Sequence, residues 1–322
     1  MYKEKTMMFL YAETPVHPGA GFGTGYIDMP VQRERFTDLP VIHASGIKGS
    51  LRDYFEGQEP KPVNEILESF GPNPDSGASD YAGALGVGEA KLLLFPMRSL
   101  YGVFAYITCP LVLQRFKRDF ELVGSSKTTW PKNVTIPEPE EESIRVISLK
   151  DKDKTIISQG TDDKDMRTVF DEFALKAQED ENARSIAEFI RDHIFPTVKE
   201  YDFWKKQFPN RFAIVADNVF KDFARMATEV VTRNKINDDT GTVDTEVGGL
   251  WTEEFLPSET VFYSVLLSAN PFKENPTLKD ASAVINFIRG GLDNKRFQIG
   301  GNQSIGRGII MAHFLSQEVK ND

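Results

Sequence analysis

The sequence predicts an α+β fold, in which helices pack on an antiparallel sheet. Short apolar runs that are typical of buried strands, such as Met7–Tyr11 and Val261–Ser268, alternate with segments of helical periodicity such as Ala281–Arg289. No β-α-β unit with a repeated glycine fingerprint interrupts this alternation, which argues against a doubly wound parallel sheet. A chain of 322 residues with 40% hydrophobic residues can bury a sizeable core. This length fits one elaborated domain or two, and we take residues 1–322 as one.

The N-terminal part predicts a strand, a loop and a helix. Met7–Tyr11 forms the opening strand, which ends at Thr14-Pro15 in a loop with four glycines between positions 19 and 25. Pro40–Ile42 then opens into a helix. Residues 56–90 contain four prolines around a short helical pattern, so we expect an irregular insertion or lid there.

The middle of the chain predicts a mostly helical insertion over residues 114–205. Two strand-like runs, Leu92–Phe95 and Tyr101–Cys109, precede it. Within the insertion, residues 163–195 show helical periodicity, and we interpret them as two helices that pack on the sheet.

The C-terminal part predicts a projecting β-hairpin between two helices. Asn218–Val231 has the pattern of a helix, and residues 232–258 carry a polar turn with too few apolar residues to bury a face. Ala281–Arg289 follows as a helix that Gly290-Gly291 should end. Residues 299–308 form a glycine-rich loop before the last strand.

Composition excludes several classes of protein. The net charge of −10 is unlike that of proteins that coat nucleic acid, so any RNA binding requires a local basic groove. The single cysteine, Cys109, precludes an internal disulfide and is typical of a reducing cytosol. The sequence has no apolar span of about 18 residues and no signal-like N-terminus, so we expect a cytoplasmic protein without a membrane partner.

Candidate catalytic residues lie in two segments. Asp28 follows the glycines and precedes Pro30, which places a carboxylate on a loop, either to cap a turn and pair with Arg33 or to take part in catalysis. His17 has a side chain suited to general acid chemistry or to a phosphate contact. Glu253 and Glu254 are adjacent, so on a strand they face opposite ways, and we favour Glu253 as the partner of Asp28.

Candidate anion-binding residues lie in two other places. Lys48 and Arg52 are four residues apart and share one helix face, either as solvated surface or as phosphate contacts. The segment Arg289–Arg307 has four basic residues and one acidic residue, a local charge of +3. Its glycine-rich loop is either a structural turn or a set of backbone N–H groups that bind phosphate with Arg307. It lacks the G-K-[ST] ending of a nucleotide P-loop.

Five ordered motifs resemble one known family. They are T-P-x-H-P-G at 14–19, D-x-P-x-Q-R-E at 28–34, P-V-I-x-x-x-x-I-K-G-x-L-R at 40–52, L-W-T-E-E-F-L-P at 250–257 and the glycine-rich loop at 299–308. Together they resemble the RAMP proteins of CRISPR systems, and among these the backbone subunits of type III-B (Cmr) RNA-targeting effector complexes. The motifs run from one end of the chain to the other.

The resemblance implies a fold and a set of roles. It implies a ferredoxin-like, RRM-type core with helical insertions and a hairpin "thumb" at 232–258. It also implies that Asp28 is needed to cut target RNA and that a second group of residues grips guide RNA. That group comprises Lys48, Arg52, Gly300, Gly301, Gln303, Ser304, Gly306 and Arg307. Some family members carry an aromatic hydroxyl where Phe255 stands here.

The implied assembly is a helical filament of copies of the chain on guide RNA. Its other partners would be target RNA, a large polymerase-like subunit, a small helical subunit and capping RAMP subunits. A divalent ion, Mg²⁺ or Mn²⁺, held by Asp28 and RNA phosphates would leave only a weak sequence signature. The alternatives are a stand-alone endoribonuclease that matures guide RNA and an RNA-binding scaffold without activity.

Overall fold

The computed structural model describes residues 2–23, 25–72, 81–124, 128–149, 156–158, 166–237, 240–243 and 249–316. These residues form seven helices and fourteen strands. The helices are α1 Ala44–Glu56, α2 Val63–Phe70, α3 Pro110–Val123, α4 Glu181–His193, α5 Asp202–Arg211, α6 Asp217–Met226 and α7 Ala281–Leu292. The strands are β1 Glu4–Ala12, β2 Val41–Ile42, β3 Leu85–Val87, β4 Ala90–Arg98, β5 Phe104–Thr108, β6 Ser143–Val146, β7 Arg167–Phe170, β8 Phe173–Glu179, β9 Phe212–Val215, β10 Glu229–Asn234, β11 Leu250–Phe255, β12 Val261–Ser268, β13 Lys295–Gln298 and β14 Ile309–Phe314.

Twelve of these strands form one large, mostly antiparallel sheet. Its strand order is β13-β14-β1-β12-β4-β5-β9-β6-β8-β7, with β2 paired to β4 and β3 paired to β12. The pairs β5–β9 and β6–β8 are parallel. The remaining two strands, β10 and β11, form a separate two-stranded sheet. The fold is therefore a mixture of helices and a mainly antiparallel sheet, as the sequence predicts.

The core lies around β1, which runs between β12 and β14. Its residues Met7–Ala12 are all buried, so both faces of this strand are covered. Helix α7 packs against β1, β12 and β14, and α3 packs against β1 and β4. The uninterrupted apolar run at Met7–Tyr11 is what a strand buried on both faces requires.

Several predicted elements are confirmed. The strands at Met7–Tyr11 and Val261–Ser268 correspond to β1 and β12, and the strand-then-helix at Pro40–Ile42 corresponds to β2 and α1. The short helical pattern inside the 56–90 insertion is α2, while residues 73–80 of that insertion lie outside the described residues.

The prediction of two helices over residues 163–195 is wrong in its first half. Residues 167–179 form the antiparallel strands β7 and β8, and only α4 is helical. The described part of 114–205 thus contains three strands besides its helices, so it is not mostly helical. The Asp180 carboxylate accepts hydrogen bonds from the Asn182 and Ala183 N–H groups and starts α4 there. The apolar spacing in residues 166–173 fits a half-buried sheet edge equally well.

Two predicted helix ends also need correction. Helix α6 ends at Met226, and residues 229–231 already belong to β10. Helix α7 continues through Gly290-Gly291 to Leu292. Gly291 is needed for packing, because a Cβ there would collide with the ring of Phe55 on α1. Gly291 thus permits a close helix contact, a Cβ on Gly290 would meet no atom within 4 Å, and neither glycine ends the helix.

The predicted hairpin exists, but its strands lie within residues 229–255, three positions earlier than the predicted 232–258. Strands β10 and β11 pair from Glu229 with Phe255 to Asn234 with Leu250. Half-buried and exposed side chains alternate along β10, and none of them is fully buried. The predicted turn at Asn237–Gly241 includes residues 238 and 239, which lie outside the described residues. We refer to β10, β11 and their connection as the hairpin.

Candidate functional site

The Asp28 loop, residues 16–33, folds back on itself, so that its two halves pair through backbone hydrogen bonds. Gly19 and Val31 form an antiparallel bridge, and the Ala20 N–H donates to the Pro30 carbonyl at 2.9 Å. At the closed end, the Gly23 N–H donates to the Asp28 carbonyl at 2.8 Å. Asp28 therefore sits where the returning half of the loop begins.

The returning half of the loop pairs with β11 of the hairpin. The Met29 N–H donates to the Thr252 carbonyl, and the Glu254 N–H donates to the Met29 carbonyl, both at 3.0 Å. Met29 and Glu253 form a parallel bridge. The loop thus extends the hairpin by one short strand, which brings two predicted segments together: the loop of Asp28 and the strand of Glu253.

The Asp28 carboxylate is exposed and is held through one oxygen. Its Oδ2 accepts a hydrogen bond from the Thr252 N–H at 2.8 Å and another from the Thr252 hydroxyl at 2.9 Å. These two hydrogen bonds lower the pKa of Asp28, the backbone one most, so the side chain is ionised at neutral pH. Within the described part of the chain, Oδ1 has no hydrogen-bond partner. One carboxylate oxygen is therefore free for a ligand.

His17 is buried under the loop. Its Nδ1 donates to the Glu254 carbonyl at 2.7 Å, and its ring lies 5.5 Å from the ring of Phe255. A Cβ on Gly19 would lie 2.8 Å from Nε2, so the loop closes tightly over the imidazole. With 4% of the residue exposed, His17 braces the loop against β11 and offers little surface to a substrate.

Glu253 and Glu254 point to opposite sides of β11, as their adjacency in a strand predicts. Glu254 is 2.6 Å from the Arg33 guanidinium and accepts the Val31 N–H at 2.9 Å, which fastens the Asp28 loop. Glu253 accepts hydrogen bonds from the indole N–H of Trp251 at 2.7 Å and from the Asn302 amide at 2.9 Å. Both glutamates are buried. Because Asn302 belongs to the glycine-rich loop, its hydrogen bond to Glu253 links the hairpin to that loop.

The glycine-rich loop, residues 299–308, packs against the Asp28 loop. The Gly301 N–H donates to the His17 carbonyl at 3.0 Å. Gly300 adopts φ of +85°, and a Cβ there would collide with that carbonyl, so the position requires glycine. Gln303, Ser304 and Gly306 form an exposed tip. This loop, His17, Asp28 and Glu253 are thus brought together.

Arg307 leaves the glycine-rich loop toward the base of the hairpin. Its guanidinium lies 4.6 Å from the centroid of the Phe255 ring and 3.6 Å from a Glu229 carboxylate oxygen. About a quarter of its side chain is exposed. Phe255 itself is fully buried; its ring makes a cation–π contact with Arg307, and the His17 ring lies tilted against it.

Lys48 and Arg52 lie on α1 and contact other segments. The Lys48 ammonium donates to the Leu85 carbonyl at 2.9 Å, and burial, with the Arg52 charge, lowers its pKa. Arg52 donates to the Glu56 carboxylate at 2.8 Å and to the Gly71 carbonyl at 3.2 Å. Among the described residues, neither side chain forms a hydrogen bond to the Asp28 loop or to the glycine-rich loop. Both cations already have partners inside the fold.

Three further residues build the site that sequence reasoning did not select as functional: Thr252, Arg33 and Asn302. Thr252 lies within the L-W-T-E-E motif, but nothing in its local sequence indicates a partner 224 positions away. Gln32 explains part of the D-x-P-x-Q-R motif, because its amide bridges the Gly19 carbonyl and the His43 N–H. The motif therefore encodes loop geometry as well as a carboxylate.

The described residues contain no group of three or more His, Cys, Asp or Glu side chains that could hold a metal ion. Asp28 alone offers a free carboxylate oxygen at the loop. The described helices include none long and apolar enough to cross a membrane. A surface cavity of about 410 Å³ lies elsewhere, near Phe104 and Glu259, and no residue of the Asp28 loop lines it.

The chain belongs to the RAMP superfamily, whose family model matches residues 9–310. Among characterised proteins, it is 40% identical over 303 residues to the CRISPR system Cmr endoribonuclease Cmr4 of Pyrococcus furiosus, covering 94% of this chain and 92% of that one. It is 23% identical over 326 residues to the CRISPR system CMR subunit Cmr4 of Saccharolobus solfataricus, covering 96% of each chain.

Solved structures have the same fold. Oligomeric Cmr4 from Pyrococcus furiosus superposes with a TM-score of 0.67 at 32% identity, over 97% of this chain and 98% of that chain. A chain of the type III-B Cmr-beta complex bound to cognate target RNA gives a TM-score of 0.68 at 20% identity, over 97% and 98% of the two chains. The family predicted from the five motifs is confirmed.

Proposed function

We propose that this chain is a backbone subunit of a type III-B CRISPR effector, which binds guide RNA and cuts the target RNA paired with it. The observation that carries the proposal is the match, over nearly the whole chain, to a relative called a Cmr endoribonuclease. A solved relative described as oligomeric supports stacking of identical copies. Head-to-tail contacts between identical copies generate a filament.

We also propose that the central part of the sheet is a ferredoxin-like core. Four neighbouring strands, β14-β1-β12-β4, are antiparallel to one another in that order. Helix α1 connects the first of these strands in the chain to the second, and α7 connects the third to the fourth. Numbered along the chain, the strand order is 4-1-3-2, the arrangement of an RRM-type sheet. The other strands and the hairpin are then additions to this core.

Asp28 is the residue we assign to the cut. An exposed carboxylate with a free oxygen, on a loop fixed by hydrogen bonds at both sides, can orient a reacting group. The nucleophile would be the 2′-hydroxyl of the target RNA itself: its oxygen would bond to the adjacent phosphorus, the P–O5′ bond would break, and the 2′-hydroxyl proton would pass to water while water protonates the leaving 5′-oxygen. Because the pKa of Asp28 is lowered, the carboxylate is a weak proton acceptor at neutral pH, which favours a role in orientation or ion binding over proton abstraction.

A divalent ion, Mg²⁺ or Mn²⁺, fits this site only if the protein and the RNA coordinate it together. Asp28 would supply one oxygen, and RNA phosphates would supply the others, in keeping with the oxygen ligands that Mg²⁺ prefers. Such an ion would stabilise charge that develops on the phosphate. The chain's own contribution is to hold the carboxylate in place.

Guide RNA would lie along the glycine-rich loop. Its exposed tip at Gln303, Ser304 and Gly306 offers backbone and side-chain donors to phosphates. Arg307 supplies a partly exposed positive charge beside that tip. Lys48 and Arg52 are weaker candidates, because each already donates to carbonyl groups of the fold.

A stand-alone endoribonuclease is the competing function, and assembly distinguishes the two. The purified chain is mixed with guide RNA and run on gel filtration. A ladder of multimers whose length follows the guide is expected. A single monomer or dimer that cuts the guide repeat would contradict the proposal.

Activity distinguishes a cutting subunit from an inert scaffold. The effector is reconstituted with guide RNA and its other subunits and then given labelled complementary RNA with Mg²⁺ or Mn²⁺. Cuts at regular spacing within the paired region are expected. Intact target after stoichiometric binding would leave only the scaffold role.

A further inference from the structure

Thr252 forms more hydrogen bonds with Asp28 than any other described residue does. Its N–H and hydroxyl both donate to Asp28 Oδ2, at 2.8 and 2.9 Å. In the opposite direction, the Asp28 N–H donates to the Thr252 hydroxyl oxygen at 2.9 Å. The hydroxyl therefore accepts from the backbone of Asp28 and donates to its side chain. That pair of contacts fixes the loop at Asp28 and the direction of the carboxylate together.

Thr252 is itself held firmly. It lies on β11 directly before two residues with anchored side chains: Glu253 accepts a hydrogen bond from Asn302 of the glycine-rich loop, and Glu254 accepts one from Arg33. The Arg233 guanidinium on β10 is 3.3 Å from Glu253. These contacts hold the backbone at Thr252 in place where the hairpin meets the rest of the protein.

We propose that Thr252 is a positioning residue for RNA cleavage, which orients the Asp28 carboxylate so that Oδ1 is left for the reaction. This inference rests on the proposed function. It follows that cutting depends on the position of the hairpin relative to the Asp28 loop, because β11 of the hairpin carries Thr252, which holds the carboxylate. An RNA that displaces β11 would displace Asp28 with it.

The hydroxyl of Thr252 can be removed without removing its shape. Thr252→Val keeps the size and the backbone N–H, but it loses both contacts made by the hydroxyl. Thr252→Ser keeps them. The matched control is Thr232→Val, because Thr232 lies directly opposite Thr252 on β10, is exposed and has no hydrogen bond from its side chain to any described residue.

The test measures single-turnover cleavage and target affinity separately, in reconstituted effector complexes. Thr252→Val should cut about 10- to 100-fold more slowly, because a hydrogen bond to a charged group is lost and the carboxylate is no longer aligned. Its target Kd should stay close to that of wild type, because the Thr252 hydroxyl is assigned a contact to Asp28 and none to RNA. Thr252→Ser and Thr232→Val should cut at close to the wild-type rate.

Three results would overturn the inference. Cleavage by Thr252→Val at the wild-type rate would mean that the backbone N–H alone suffices. A Thr252→Ser variant as slow as Thr252→Val would assign the effect to the methyl group and hence to packing. A loss of target affinity equal to the loss of rate would indicate a binding defect.

Asp28→Asn in the same assay separates this inference from the proposed function. An inactive Asp28→Asn with a normal Thr252→Val rejects the positioning role alone. An active Asp28→Asn rejects the assignment of Asp28 to the cut, and the role of Thr252 falls with it.

Discussion

The ion pair between Arg33 and Glu254 should contribute far more than an ordinary surface pair. The two groups are 2.6 Å apart, and only 16% and 3% of their side chains are exposed. Arg33→Met would leave the Glu254 carboxylate buried without its cation. Removing one partner of a buried pair costs about 3–5 kcal/mol. We expect that loss in the free energy of unfolding, measured by urea denaturation.

The comparison variant is Arg98→Met. Arg98 lies 3.6 Å from Asp171, but 84% and 48% of these side chains are exposed. Exposed pairs contribute about 0–1 kcal/mol, so this variant should unfold nearly as wild type does.

A double variant tests the cause of the loss. Arg33→Met with Glu254→Gln removes both charges, and the glutamine oxygen can still accept the Val31 N–H. It should therefore be more stable than Arg33→Met alone. Hydrogen exchange at the Met29 and Glu254 N–H groups should quicken in Arg33→Met, since their ladder opens with the loop. Equal costs for Arg33→Met and Arg98→Met, with unchanged exchange, would refute the reasoning.

Three further predictions concern the hairpin, the guide and pH. Replacing residues 235–249 with a two-residue turn should leave the unfolding free energy nearly unchanged, because most of the described residues in that stretch are exposed, but should disturb the spacing of target cuts; normal spacing would place the thumb elsewhere. Arg307→Ala should weaken guide binding and reduce the salt dependence by about one unit, whereas Lys48→Ala should do so less; equal effects would mean that Lys48 also meets phosphate. Burial raises the pKa of Glu259 to about 7, so its carboxyl group binds a proton more tightly in the folded state, and stability falls as pH rises from about 4.5 to 7. At pH 8, Glu259→Gln should be more stable than wild type by at most about 3 kcal/mol, and a Glu200→Gln control, whose side chain is 64% exposed, should show no gain.

The sequence predicts the central sheet well because its signals are local. In a strand with an uninterrupted apolar run such as Met7–Tyr11, apolar side chains point to both faces, so both faces must be buried. The strand predicted at Val261–Ser268 has the same bounds in the structure. Residues 167–179 were harder, because apolar residues at the edge of a sheet can match helical spacing as well as strand alternation. The helix end predicted at Gly290-Gly291 was wrong for a different reason. Gly291 packs against Phe55, and a contact with a residue so distant in the sequence cannot be predicted from the local pattern.

The site was predictable as a set of motifs but not as an arrangement. Asp28, Glu253 and the glycine-rich loop stand out by residue type, and the structure brings their segments together. The roles of His17 and Lys48 could not be read locally, since each is decided by a carbonyl group far away in the chain, of Glu254 and of Leu85. The role of Thr252 could not be predicted from the sequence, because threonine is common in strands and its partner, Asp28, is 224 positions away.

The central claim is that the Asp28 carboxylate is required to cut target RNA in the assembled effector. Asp28→Asn preserves the shape and can still accept the Thr252 hydrogen bonds, but it removes the charge. Guide binding, assembly and target affinity should therefore match wild type, while the single-turnover cleavage rate falls by about 10²-fold or more, because the charge that orients the reacting group or binds an ion is lost. Cleavage at the wild-type rate by an Asp28→Asn complex that assembles and binds target normally would contradict the account.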